Sequence, residues 1–141
     1  MDMTETKDAV AVFCEATRAR DIDGIVSALA PDAELLSPLS GRMVFRGRDD
    51  LRVLLGAVYG GLSNLTWREV IGEGTTRVAV SDAGIAGVTI TDAMVLELND
   101  DGLIVRIRPH LRPWLAITLF ALLLGPKIAR HPGVLRRALR R

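Results

Sequence analysis

The sequence predicts an α+β fold, with three helices first, a meandering sheet after them, and a helical tail. Two observations carry this. Up to Gly60-Gly61 the apolar residues recur at helical spacing; beyond it, β-branched residues gather in short runs separated by turn signals. Short links between consecutive strands favour antiparallel pairing, the pattern of a meander. The 141 residues, 49% hydrophobic and 25% charged, suit one globular domain that buries a core without staples.

Each element follows from local chemistry. From about Thr6 to Ala19, the residues Ala9, Val10, Val12, Phe13 and Ala16 form the apolar face of an amphipathic helix. Asp21 is an N-cap for a short second helix bearing Ile22, Ile25, Val26 and Leu29, and Pro31 is expected to end it. Ala33 to Ser37 reads as a strand stopped by Pro38. Gly47 then breaks the chain, and Asp49 or Asp50 is placed to accept from the free amides of a third helix running to about Leu62. Strands are expected at Leu65 to Ile71, Arg77 to Asp82, Val88 to Leu98 and Leu103 to Arg108. Beyond Pro113 the tail is helical, and Gly125-Pro126 and His131-Pro132-Gly133 are expected to divide it into three pieces.

The order of these elements resembles the nuclear-transport-factor-2-like superfamily, in particular the SnoaL-like polyketide cyclases and ketosteroid isomerases. The resemblance covers about residues 5 to 112. It rests on Ala19-Arg-Asp-Ile-Asp23 between two helices, Pro31-Asp-Ala-Glu34 leading into a strand, Phe45-Arg-Gly-Arg-Asp-Asp-Leu51 opening the third helix, and Asn99-Asp-Asp-Gly-Leu-Ile-Val-Arg106 across the last hairpin. What it implies is a cone, a strongly curved sheet wrapped around helices. It also implies an apolar pocket for a small hydrophobic molecule, and often a homodimer formed through the sheet. The organisation expected is a domain over residues 1–112 and an extension over residues 113–141. The superfamily holds isomerases, cyclases, epoxide hydrolases, dehydratases and non-catalytic proteins, so the fold alone selects no reaction.

The isomerases place a proton-shuttling carboxylate before a proline at the end of the first strand. In this sequence Ser37 stands there. Their tyrosine on the first helix is matched by Phe13 and Cys14, and their protonated aspartate on a late strand by Met94, with Asp92 two residues earlier. Strand alternation puts Asp92 in an apolar row with Val88, Ile90, Met94, Leu96 and Leu98. If that row lines the pocket, desolvation raises the acid's pKa and fits it for acid-base catalysis; otherwise it faces a dimer interface or bonds a neighbouring strand. His110, on the face of Arg106 and Arg108, is the second catalytic candidate, as a neutral base or part of an anion clamp; the alternative is a solvated sheet edge.

Phe13, Tyr59, Trp67 and Met94 are candidates to line the pocket, each equally suited to plain core. Cys14 has no histidine partner and reads as core. Two isolated histidines and one cysteine make no metal set, and no phosphate-binding glycine loop is present, so neither metal nor cofactor is expected. If catalytic, the chain is a cofactor-independent isomerase, cyclase or hydrolase; the alternatives are a non-catalytic dimeric binding or assembly module, or a peripheral membrane protein. The single cysteine and the acidic start, unlike a signal peptide, lead us to expect a cytoplasmic location. The basic cluster Arg42, Arg46, Arg48 and Arg52 sits in an acidic, aromatic-poor body, which argues against nucleic acid.

The tail is unlike the body in charge. All seventeen acidic residues precede Gly102, alongside nine basic ones, giving −8, and the remainder carries nine basic residues and no acid, giving +9. Within it Trp114 to Leu124 is apolar except for Thr118. A run of about eleven such residues is too short to cross a bilayer as a helix, which needs about twenty. Three covers are open to it. It closes the mouth of the pocket, packs on a partner subunit, or, over residues 114–141, lies on an anionic membrane surface with its arginines against the headgroups.

Overall fold

A computed structural model describes residues 8–140, so the expected helix start at Thr6 and the terminal Arg141 lie outside the described residues. The first helix, α1, spans Ala9–Ala19, capped by Asp8, whose carboxylate accepts from the Val10 amide at 2.8 Å. Arg20 turns the chain in a left-handed conformation, and Asp21 caps α2 (Ile22–Ser27) by accepting from the Gly24 amide. The helix stops at Ser27, before Pro31. Strand β1 runs over Leu29–Leu36 and carries Pro31 inside it, within the register irregularity between Leu29 and Glu34. A proline is tolerated there because no ladder hydrogen bond is asked of it.

Strand β2 (Val44–Arg46), too short to read from its pattern, pairs antiparallel with β1. Gly47, with φ of +86°, turns it into α3 (Arg48–Gly61) and is itself the N-cap, so neither Asp49 nor Asp50 caps the helix. Then β3 (Ser63–Ile71), β4 (Thr76–Ile85), β5 (Val88–Leu98) and β6 (Ile104–Arg108) form the expected meander. The strand order is β2-β1-β6-β5-β4-β3, with β1 and β6 parallel, and a short β7 (Leu111–Arg112) pairs with β5 beyond the end of β6. The sheet is curved and unclosed, and the helices pack inside its curve, giving the cone that the resemblance implies.

The tail forms two helices, α4 (Trp114–Ala129) and α5 (Pro132–Leu139), where three pieces were expected. Pro126 lies inside α4. Its missing amide frees the carbonyl of residue 122, and Leu122 is exposed, while Ile128, two residues past the proline, is buried in the core and anchors the continuation. Helix α5 buries Val134 and Ala138 and packs on β2. Arg137 donates from Nε and Nη2 to the two carboxylate oxygens of Asp50, at 2.9 and 2.8 Å, tying the tail to the start of α3. Three members of the basic cluster are engaged as well. Arg46 pairs with Glu34 and Arg52 with Asp23, and Arg48 donates twice to the Leu29 carbonyl.

Candidate functional site

Between α3, α4 and the inner face of the sheet lies a cavity of about 270 Å³. Its walls are almost wholly apolar: Leu54, Leu55, Val58 and Tyr59 from α3, and Phe120, Leu124 and Ile128 from α4, with Leu135 of α5. The floor comes from two antiparallel strands. In register, Ser81 opposes Asp92 and Ala83 opposes Ile90, and period-two alternation turns these four side chains and Met94 inward, while Ala79, opposite Met94, lies in the core beyond the floor.

Asp92 is thus the one ionisable carboxylate of the lining. Burial pushes its carboxyl up to about 7, offset in part by a hydrogen bond to Oδ1 from the His110 amide at 3.2 Å. An acid with its pKa there exchanges a proton readily near neutrality. Tyr59 reaches the same space from the opposite wall. Burial, then the charges of Asp92 and Cys14, hold its phenol well above 10, so it stays a protonated donor. No hydrogen bond takes that hydroxyl among the described residues, nor that of Ser81, and no fully buried side-chain polar atom is left unpaired, so both hydroxyls open onto the cavity. The arrangement is an apolar chamber with a titrating acid and two hydroxyl donors.

The other candidates lie elsewhere. Phe13 is 0% exposed and, with Trp67, sits in the core beside the cavity without lining it. The two rings meet edge to face at 6.3 Å, and Phe13 meets Tyr59 the same way. Trp67 spends its Nε1 proton on the Thr17 hydroxyl at 3.0 Å, and that hydroxyl donates to the Cys14 carbonyl. Cys14 is half-buried there, its thiol pushed up to about 11 chiefly by burial. His110 supplies only its backbone. Alternation from β6 through Pro109 to β7 points Pro109 and Leu111 into the cavity and leaves the imidazole exposed, with Nδ1 3.2 Å from the Ala93 carbonyl. Arg106 and Arg108, on that outer face, pair with Glu97, and Arg106 also with Glu34.

A family model described as the SnoaL-like domain matches residues 10–107. The chain belongs to the SnoaL-like family. No curated protein matches it. Among solved structures, an uncharacterised protein with a cystatin-like fold from Silicibacter pomeroyi is similar at 22% identity and a TM-score of 0.85, covering 92% of this chain and 93% of that one. A steroid delta-isomerase from Pseudomonas aeruginosa is similar at 20% identity and a TM-score of 0.78, covering 94% and 99%. An epoxide hydrolase/cyclase-like enzyme, SalBIII, of pyran ring formation in salinomycin, is similar at 17% identity and a TM-score of 0.62, covering 74% and 88%. These likenesses show the nuclear-transport-factor-2-like fold. The first two extend past Arg112, since residues 1–112 are less than four-fifths of the chain. Part of the segment after Arg112 therefore has a counterpart in them.

Within this SnoaL-like cone Ser37, the residue that the resemblance sets at the place of the isomerase carboxylate, lies at the cavity wall but is occupied otherwise. Its hydroxyl oxygen accepts from the Leu39 and Ser40 amides, at 3.1 and 3.3 Å, and holds the turn after β1. Ser81 was missed at the sequence level, while the tail residues of the wall fit one of the three covers expected of the apolar run, closure of the pocket. The alternation of Ala79, Ser81, Ala83 and Ile85 along β4 was the signal for Ser81.

Proposed function

We propose that this protein binds a compact hydrophobic molecule bearing an oxygen function in the cavity of the cone and acts on it by cofactor-independent acid-base chemistry, as an isomerase, cyclase or hydrolase. The observation that carries the reading is one carboxyl with a pKa of about 7 in an apolar chamber of about 270 Å³. That volume lies just below the roughly 300–1,000 Å³ of ordinary small-molecule sites, which favours a compact ligand. Asp92 moves the proton, Tyr59 and Ser81 hydrogen-bond the ligand oxygen, and the apolar walls keep water from competing. Native mass spectrometry of freshly purified protein, followed by turnover assays of the retained compound or its close analogues with the wild type and Asp92→Asn, tests it. Loss of turnover with retained binding supports catalysis by Asp92. Equal turnover in both proteins would remove it.

Binding without turnover is the second reading, and the engagement of Ser37 by turn amides favours it, because the position of the isomerase base holds no free group. A retained ligand that neither protein converts decides for it. In both readings the chain is proposed to be a homodimer through the outer face of the sheet, where alternation places the half-buried Val78, Val80 and Val95.

A further inference from the structure

Helix α4 is apolar on both sides. Its inner side, with Ala116, Phe120 and Ile128, is buried against the sheet and the core. The outer arc carries Trp114, 75% exposed, Leu115, Leu122, 66% exposed, Leu123 and Pro126. Its one uncharged polar residue, Thr118, donates its hydroxyl to the Trp114 carbonyl at 2.8 Å, so covering it leaves no hydrogen bond unmade. Nothing else in the described chain packs on this arc.

Along the chain, the charge that flanks the helix is of one sign. Arg112 and Arg130 bracket the helix, and Arg136 on α5 and Arg140 at its C-cap follow in exposed positions. None of the four has an ion-pair partner among the described residues, whereas Arg137 is spent on Asp50, and the Lys127 ammonium lies folded against Gly61 at the end of α3. A second copy docking through the same face would meet it isologously, cations against cations, with no carboxylate after Asp101 to relieve them. An anionic lipid surface satisfies both features, taking the leucines and the tryptophan into the headgroup boundary and the arginines against its phosphates. With 16 residues α4 does not cross, and no helix among the described residues is long and apolar enough to span a membrane.

We propose that the outward face of α4 is a docking surface for an anionic bilayer, on which the helix lies in the plane of the interface. This does not depend on any reaction in the cavity. The test is flotation of the full-length protein with phosphatidylcholine vesicles, with and without phosphatidylglycerol, at low and high salt. The expected result is binding to the anionic vesicles alone, weakened by salt, with a blue shift of tryptophan emission that Trp114→Phe removes. Leu122→Glu with Leu123→Glu should weaken partition at least about tenfold, and Arg130→Glu about fivefold or more. These side chains are exposed, so circular dichroism should show the native fold in each variant. Failure of the wild type to float at low salt overturns the proposal. So does a lipid-free dimer that the double leucine variant dissociates, which would make the second copy the occupant.

Discussion

Two parts of the inner face of β4 carry the same residue in different surroundings. Ala79 lies opposite Met94 in the packed core and is 0% exposed; Ala83, four residues along on the same face, lies opposite Ile90 and borders the cavity. In the core cluster that holds the first, the rings of Trp67 and Tyr59 each meet Phe13 edge to face. Around the second, small residues from the sheet face leucines from α3 and α4, helices far apart in the chain, and the space stays open. A cavity in this cone is thus a property of side-chain length on a common backbone.

That contrast is open to attack, beginning with the filled side. Phe13→Ala should destabilise the fold by about 3–5 kcal/mol, read by urea denaturation, since no neighbour is free to collapse into the hole. A loss below about 1 kcal/mol would mean that the core too is loosely packed. Next, Asp92→Asn should lower turnover of the cavity ligand at least about 100-fold, equivalent to about 2.7 kcal/mol, and abolish an ionisation near pH 7 in the rate profile.

The same acid has a signature in stability. Its pKa is raised on folding, so the native state holds the proton more tightly than the unfolded chain. No penalty exists below the unfolded value near 4; it grows as pH rises through the interval up to about 7 and is then constant. Between pH 5 and pH 8 the wild type should therefore lose on the order of 2–3 kcal/mol relative to Asp92→Asn, measured from paired denaturation curves. Enlarging the two alanines compares the regions directly. Ala79→Leu should cost about 1–3 kcal/mol from overpacking, while Ala83→Leu stays within about 1 kcal/mol of wild type and excludes the ligand. Smallest is Tyr59→Phe, which should lower ligand affinity or turnover about tenfold and leave stability almost unchanged, because the hydroxyl has no partner among the described residues to lose.

The sequence pattern reached some of this and stopped at definable points. Period-two alternation on β5 was enough to put Asp92 in one apolar row, though not to say which way that row faces, and the capping aspartates and β-branched runs were enough for the order of the longer elements. Depth was not legible. Phe13 and Trp67 carry the same pattern whether they line a cavity or fill a core, and only the approach of α3 and α4 decides between them. His110 follows the phase of Arg106 and Arg108 to the outer side, which a strand pattern shows; that its amide would serve Asp92 depends on the pairing of β5 with β7, a tertiary fact. Pro126 was a sound helix breaker in local terms, overridden by the burial of Ile128 beyond it.

The pairing of Arg137 with Asp50 bears on how anything enters the chamber. Helix α4 is held at its start by β7, stitched into the sheet, and at its end by α5, fastened through that bidentate pair to the mouth of α3. It is a strap with a buckle and cannot swing like a door. A guest that passes beneath α4 has to undo the buckled end, and exchange by that route should quicken with ionic strength, even for an uncharged guest.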